Sequence, residues 1–89
     1  MKTVRLTIKG KVQGVFYRAT AKDVADQFGI KGWVKNLPDR NVEIRATASE
    51  EILQKFIDWC KRGPSKARVD EVIVEELIFE EFNSFKILR

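Results

Sequence analysis

The nine residues Gly10-Lys11-Val12-Gln13-Gly14-Val15-Phe16-Tyr17-Arg18 bring together two glycines, a run of backbone amides and a terminal arginine. They follow an alternating apolar pattern, Val4, Leu6 and Ile8, and precede a helical one, Ala21, Val24, Ala25 and Phe28. A short glycine-containing loop between a strand and a helix turns several N–H groups into one concavity. That concavity lies beside the positive end of the helix dipole, so it suits an anion such as phosphate. Arg18 closes the loop, and a guanidinium grips phosphate oxygens through two parallel N–H bonds. The bland alternative is a glycine turn that binds nothing, followed by a solvated arginine. The loop is not a Walker loop, because no Gly-Lys-Ser/Thr closes it, and the dinucleotide spacing G-x-G-x-x-G is absent.

The elements that position this loop are legible from periodicity. A strand is expected over Lys2–Lys11, with Val4, Leu6 and Ile8 on one face and Arg5, Thr7 and Lys9 on the other. A helix follows over about Ala19–Phe28, its apolar residues spaced to pack on a sheet, with Gly29 at the C-terminal cap. Lys31–Asn36 reads as a second strand. The turn Leu37-Pro38-Asp39-Arg40-Asn41 leads to a third with Val42, Ile44 and Ala46 alternating, and the two pair as a hairpin. Thr47 or Ser49 caps a second helix that ends near Arg62 before Gly63-Pro64, with Glu50 and Glu51 in its first turn and Lys61 and Arg62 in its last. A long strand over about Val69–Phe79 and a short one over Phe85–Leu88 complete the chain. The order βαββαβ plus a short C-terminal edge strand predicts an α+β fold, with two helices on one face of a mostly antiparallel sheet.

At 89 residues the chain is expected to form one domain, residues 1–89. Residues 1–36 hold eight Lys or Arg against two Asp, a net of +6, while residues 37–89 hold nine against eleven acids, a net of −2. The basic excess accompanies the loop and can raise the local concentration of a small anion, or it is simply a solvated surface. There is no histidine, and Cys60 is the only cysteine. Histidine bases, phosphohistidine, histidine-ligated metals, intrachain disulfides and structural zinc are thereby excluded. Cys60 falls on the apolar stripe of the second helix, where an inert buried thiol is expected. Neither a signal-peptide core nor a membrane-length apolar run is present, so the expected location is the cytoplasm.

Two segments carry a resemblance to a known family. Gly10–Arg18 resembles the signature loop of the acylphosphatases, and Gly32-Trp33-Val34-Lys35-Asn36-Leu37-Pro38-Asp39 resembles that family's second signature, at its usual separation. Gly63–Val69 and the tail Phe85-Lys86-Ile87 also fit, so the resemblance spans nearly the whole chain. It implies a ferredoxin-like architecture and hydrolysis of acyl phosphates to carboxylate and phosphate. It implies that the backbone amides of Gln13, Gly14, Val15, Phe16, Tyr17 and Arg18, with the Arg18 side chain, hold the phosphate, and that Asn36 positions the attacking water. No cofactor and no metal are implied. The expected partner is a small acyl phosphate, with no nucleic acid, no membrane and a monomer as the default.

No side-chain base is evident in either motif, so the substrate phosphate takes the proton or none is needed until late. Each residue has a duller reading. Arg18 can pair with Asp23, Asn36 can cap its strand, Trp33 can be core or pocket wall, Thr20 can cap or line the site, and Val12, Val15 and Phe16 can be packing. Arg40 stands where the family usually has glycine, with the adjacent Asn41 expected to absorb a left-handed turn. Ala48 replaces another usual glycine. The competing functions are a non-catalytic anion-binding module, an RNA-binding module on the same architecture, and a carbamoyl-phosphate-handling module of the kind found in larger maturation proteins. The first strand lacks the aromatic residues that an RNA-binding sheet exposes.

Overall fold

The computed structural model describes residues 1–89. Its elements are β1 (Lys2–Lys11), α1 (Tyr17–Phe28), β2 (Lys31–Asn36), β3 (Val42–Ala48), α2 (Glu50–Arg62), β4 (Arg68–Leu77) and β5 (Phe85–Ile87). The five strands form one sheet in the order β4-β1-β3-β2-β5. β1 and β2 both run antiparallel to β3, so they run in the same direction, and β5 is parallel to β2. The C-terminal ends of β1, β2 and β5 therefore share one edge of the molecule. The ends of β1 and β2 are two strand spacings apart, about 10 Å. This is the ferredoxin-like arrangement expected from the element order.

The alternating pattern decides which face is covered. Val4, Leu6 and Ile8 of β1, Val34 of β2 and Val42, Ile44 and Ala46 of β3 are buried. They form one cluster with Ala21 and Ala25 of α1 and with Leu53, Phe56, Ile57 and Cys60 of α2. Each of the larger aliphatic side chains contributes about 1.5–3 kcal/mol through burial. The opposite face is polar: Arg5 pairs with Glu75 at 3.0 Å, and Trp33 lies under Lys35 and Arg45, at 5.2 and 5.5 Å from its ring centre. Trp33 is thus neither core nor pocket wall, because it sits one residue out of phase with the buried Val34.

Several boundaries differ from the sequence expectation for identifiable reasons. α1 begins at Tyr17 rather than Ala19, because Phe16 takes a left-handed conformation (φ 65°, ψ 22°) and turns the chain into the helix two residues early. β4 starts one residue earlier, at Arg68, and stops at Leu77 rather than Phe79, because Ile78 and Phe79 leave the sheet. They open a crossover that carries the chain from one sheet edge to the other. It is pinned on the polar face by a buried pair: Thr3 and Thr47 share a 2.7 Å hydroxyl bond, the Glu80 amide donates to Thr3 Oγ1 at 2.8 Å, and Thr47 Oγ1 donates to the Glu80 carbonyl at 2.7 Å. Ser49, rather than Thr47, caps α2 by accepting from the Ile52 amide.

The hairpin turn also resolves differently. The left-handed residue is Arg40 (φ 75°), and Asn41 is held instead by Asp39, whose carboxylate accepts from both its amide and its side chain at 3.1 Å. Ala48 ends β3 outside the left-handed region, so a methyl group fits there. A left-handed non-glycine residue costs about 1–2 kcal/mol, and glycine returns about 0.4–1 kcal/mol of that through the unfolded chain. Arg40→Gly is therefore expected to stabilise the fold by about 0.5–1 kcal/mol, read as a higher urea midpoint with an unchanged slope.

Candidate active site

The segment between β1 and α1 is shaped by close packing at its start. β1 shifts register against β4 between Lys9 and Gly10. Gly10 has φ 131°, and a Cβ there would stand 2.1 Å from the Arg68 carbonyl oxygen, so no side chain fits. Val12 and Val15 then turn inward and are buried, fixing the loop to the core at two points. Between and after them, Gly14 (φ 75°) and Phe16 (φ 65°) are left-handed while Val15 is not. Alternation of this kind swings successive N–H groups toward one side. None of the amides of Gln13 through Arg18 donates a backbone hydrogen bond within the chain. They are free donors at the N-terminal end of α1, where the helix dipole adds positive potential.

Tyr17 anchors the far end of the loop. It is almost fully buried, and its hydroxyl donates to the Cys60 carbonyl of α2 at 2.8 Å. Its ring leans on Trp59 with centroids 5.4 Å apart. Burial pushes the phenol well above its usual range, and it pushes the Cys60 thiol up to about 12. Both groups are structural, which confirms the inert reading of Cys60.

A concavity of about 320 Å³ lies in front of the loop, with Val12, Gly14, Phe16, Tyr17, Arg18 and Ala19 on one side and Asn36 and Ile87 on the other. No carboxylate lines it. Arg18 forms no ion pair with Asp23 or any other acid. Its guanidinium donates only a long bond, 3.4 Å, to the Leu88 carbonyl. Leu88 is itself held by its amide, which donates to Val34 O at 2.8 Å, so the C-terminal segment docks on β2 and steadies the arginine. Asn36, at the end of β2, does not cap its strand. Its Oδ1 is buried without a hydrogen-bond partner. An unpaired buried acceptor costs about 1–3 kcal/mol, and this one belongs to a residue that lines the concavity.

Of the residues expected at the site, Gly14, Phe16, Tyr17, Arg18 and Asn36 line the concavity, while Gln13 and Val15 do not, and two groups that sequence reasoning did not place there join them. Ile87 forms part of the wall, the Leu88 carbonyl contacts Arg18, and Phe16 stands at the rim, 74% exposed rather than packed. A left-handed aromatic residue cannot be read from periodicity, and the parallel docking of β5 depends on the crossover. Thr20 donates its hydroxyl to the Phe16 carbonyl at 2.8 Å, closing the first turn of α1 rather than lining the cleft. No group of three or more His, Cys, Asp or Glu side chains converges anywhere as a metal site would require.

Comparison with known proteins agrees with this geometry. A family model described as acylphosphatase matches residues 4–87. A protein of Methylococcus capsulatus named acylphosphatase is 44% identical over 90 residues, covering 100% of this chain and 98% of the relative. One from Legionella pneumophila, of the same name, is 45% identical over 96% of this chain and 93% of its own. Among solved structures, the acylphosphatase of Bacillus subtilis superposes with a TM-score of 0.97 at 36% identity over 100% of both chains. Full-length HypF, in a phosphate- and nucleotide-bound form, matches at TM-score 0.89 and 28% identity, with this chain spanning 12% of it.

Burial of the Cys60 thiol makes stability fall in alkali. The folded thiol keeps its proton up to about pH 12, while the unfolded one ionises near pH 9. Between those values only the unfolded chain has lost the proton, so stability that is intact below pH 9 falls by about 1.4 kcal/mol per pH unit. Urea unfolding at a series of pH values between 8 and 10, below the ordinary ionisation of the likewise buried Tyr17 phenol, measures that slope, and Cys60→Ala is expected to flatten it there.

Proposed function

This chain belongs to the acylphosphatase family and hydrolyses acyl phosphates, and we propose that it does so with the free loop amides, Arg18 and Asn36 in the following roles. The observation that carries the assignment is the pairing across one cleft of six unspent amide donors with a buried, unpartnered Asn36 Oδ1. The amides of Gln13 to Arg18 and the Arg18 guanidinium hold the phosphate oxygens. Phosphoryl transfer depends on positioning and on stabilising charge on those oxygens, and fixed donors do this without reorganising during the reaction.

Asn36 accepts a hydrogen bond from a water and holds it opposite the acyl oxygen. The water oxygen attacks phosphorus, the bond from phosphorus to the acyl oxygen breaks, and the carboxylate departs with the bonding electron pair. The water's proton passes to a phosphate oxygen. Two observations support a path without a side-chain base: the cleft wall holds no carboxylate, and Asp39 is occupied by Asn41.

The test is hydrolysis of benzoyl phosphate in the presence of a chelator. Wild type is expected to turn over, and Arg18→Ala and Asn36→Ala to lose about 100- to 1,000-fold in kcat while remaining folded. Asp39→Asn is expected to keep its rate. Full activity in either alanine variant refutes the role given to that residue, and collapse of Asp39→Asn refutes the base-free path.

A further inference from the structure

We propose that the Gln13 side chain is a positioning residue for hydrolysis, setting the Asn36 amide at its distance from the phosphate loop; the proposal rests on the water-holding role of Asn36 given above. Gln13 lies in the loop, yet its side chain turns away from the cleft. Its Nε2 donates to two carbonyl oxygens of the β2–β3 turn, Leu37 at 2.9 Å and Asn41 at 2.8 Å. Both protons of the amide are thereby used.

Those two carbonyls are the two ends of the turn. Leu37 directly follows Asn36, and Asn41 precedes Val42, the residue paired with Asn36 across the hairpin. The same oxygens also accept from the turn itself: Asn41 O from the Leu37 amide at 2.8 Å, and Leu37 O from the Arg40 amide at 3.2 Å. Gln13 therefore plugs into an already closed ring of bonds. No backbone hydrogen bond joins the loop to the turn, so this one side chain makes the polar link between them. β1 and β2 are separated by β3, so the loop and the turn that leave them are joined by no strand pairing of their own.

In-line attack requires the water and phosphorus about 3–3.5 Å apart, and misplacement by about 1 Å costs roughly 100-fold in rate. The amide cradle and Arg18 lie on the loop side of the clamp, while Asn36 lies on the turn side. Release of the clamp therefore loosens Asn36 against the cradle and leaves the cradle itself in place. The rate falls and anion affinity does not.

The test compares Gln13→Met, which keeps the length and removes both donors, with Asn36→Ala and the double variant. The readouts are kcat for benzoyl phosphate, the inhibition constant of inorganic phosphate, and thermal unfolding. Gln13→Met is expected to lose roughly 10- to 100-fold in kcat with phosphate inhibition within about twofold of wild type. The double variant is expected to be no slower than Asn36→Ala by more than about twofold, because both changes act on the same water. Parallel loss of kcat and phosphate binding, or multiplying losses in the double variant, overturns the proposal. If Asn36→Ala is slow while Gln13→Met is fully active, the clamp is refuted and the Asn36 role stands. If Asn36→Ala is fully active, both fail. Gln13→Ala replaces the methionine variant should the latter not fold, with the same outcomes read.

Discussion

A run of backbone N–H groups that the chain declines to use is the constraint around which this molecule is built. An unpaired amide costs about 1–3 kcal/mol when buried, so the segment from Gln13 to Arg18 must stay at the surface. A surface loop with no backbone hydrogen bonds of its own has nothing local to keep its shape. Here the shape comes from side chains that leave in other directions. Val12 and Val15 sink into the core, and Tyr17 reaches α2 through its hydroxyl. At the entrance, Gly10 lets β1 press against the Arg68 carbonyl so closely that no Cβ fits. The donors remain free because everything around them is fixed.

The sheet serves this arrangement as a ruler. β3 stands between β1 and β2 and runs opposite to both, which places the loop and Asn36 at the same edge a fixed distance apart. The crossover through Glu80, held by the Thr3–Thr47 hydroxyl pair, returns the chain to the far edge of the sheet as β5, parallel to β2. That direction is what brings Ile87 and the Leu88 carbonyl to the cleft. Strain sits where it is useful or cheap: Phe16 is left-handed at the cleft rim, and Arg40 at an exposed turn.

The layout was legible in the sequence where one force dominated. The alternation of Val4, Leu6 and Ile8 against Arg5, Thr7 and Lys9 is a burial pattern, and burial decided the strand and its facing. Ser49 and Gly63 bracket α2 through hydrogen-bond chemistry that is local. The strand–loop–helix order around Gly10–Arg18 was compatible with an anion cradle and with an idle glycine turn alike, and only the likeness of two motifs singled out Arg18 and Asn36, which the structure sets on opposite sides of one concavity. What was not legible depends on competition between distant parts. Periodicity put the start of α1 at Ala19, but the left-handed Phe16 moved it to Tyr17. Propensity assigned the left-handed turn position to Asn41, whereas the Asp39 carboxylate captured Asn41 and left Arg40 to take it. Trp33 carried the look of a core residue until pairing register set it beside Lys35 and Arg45 on the polar face. The second partner of Gln13, 28 positions away, is a property of the folded sheet alone.

Because the donors between Gln13 and Tyr17 are main-chain atoms, their presence does not depend on which side chains accompany them. Replacing Val15 or Phe16 by almost any residue leaves its N–H where it was; only proline deletes one. Alanine scanning across this stretch therefore reports on packing and strain and stays blind to the groups that face the cleft. Exchange of single peptide bonds for esters would reveal them. Gly10 and the buried Val12 and Val15 instead hold the backbone path on which those donors depend.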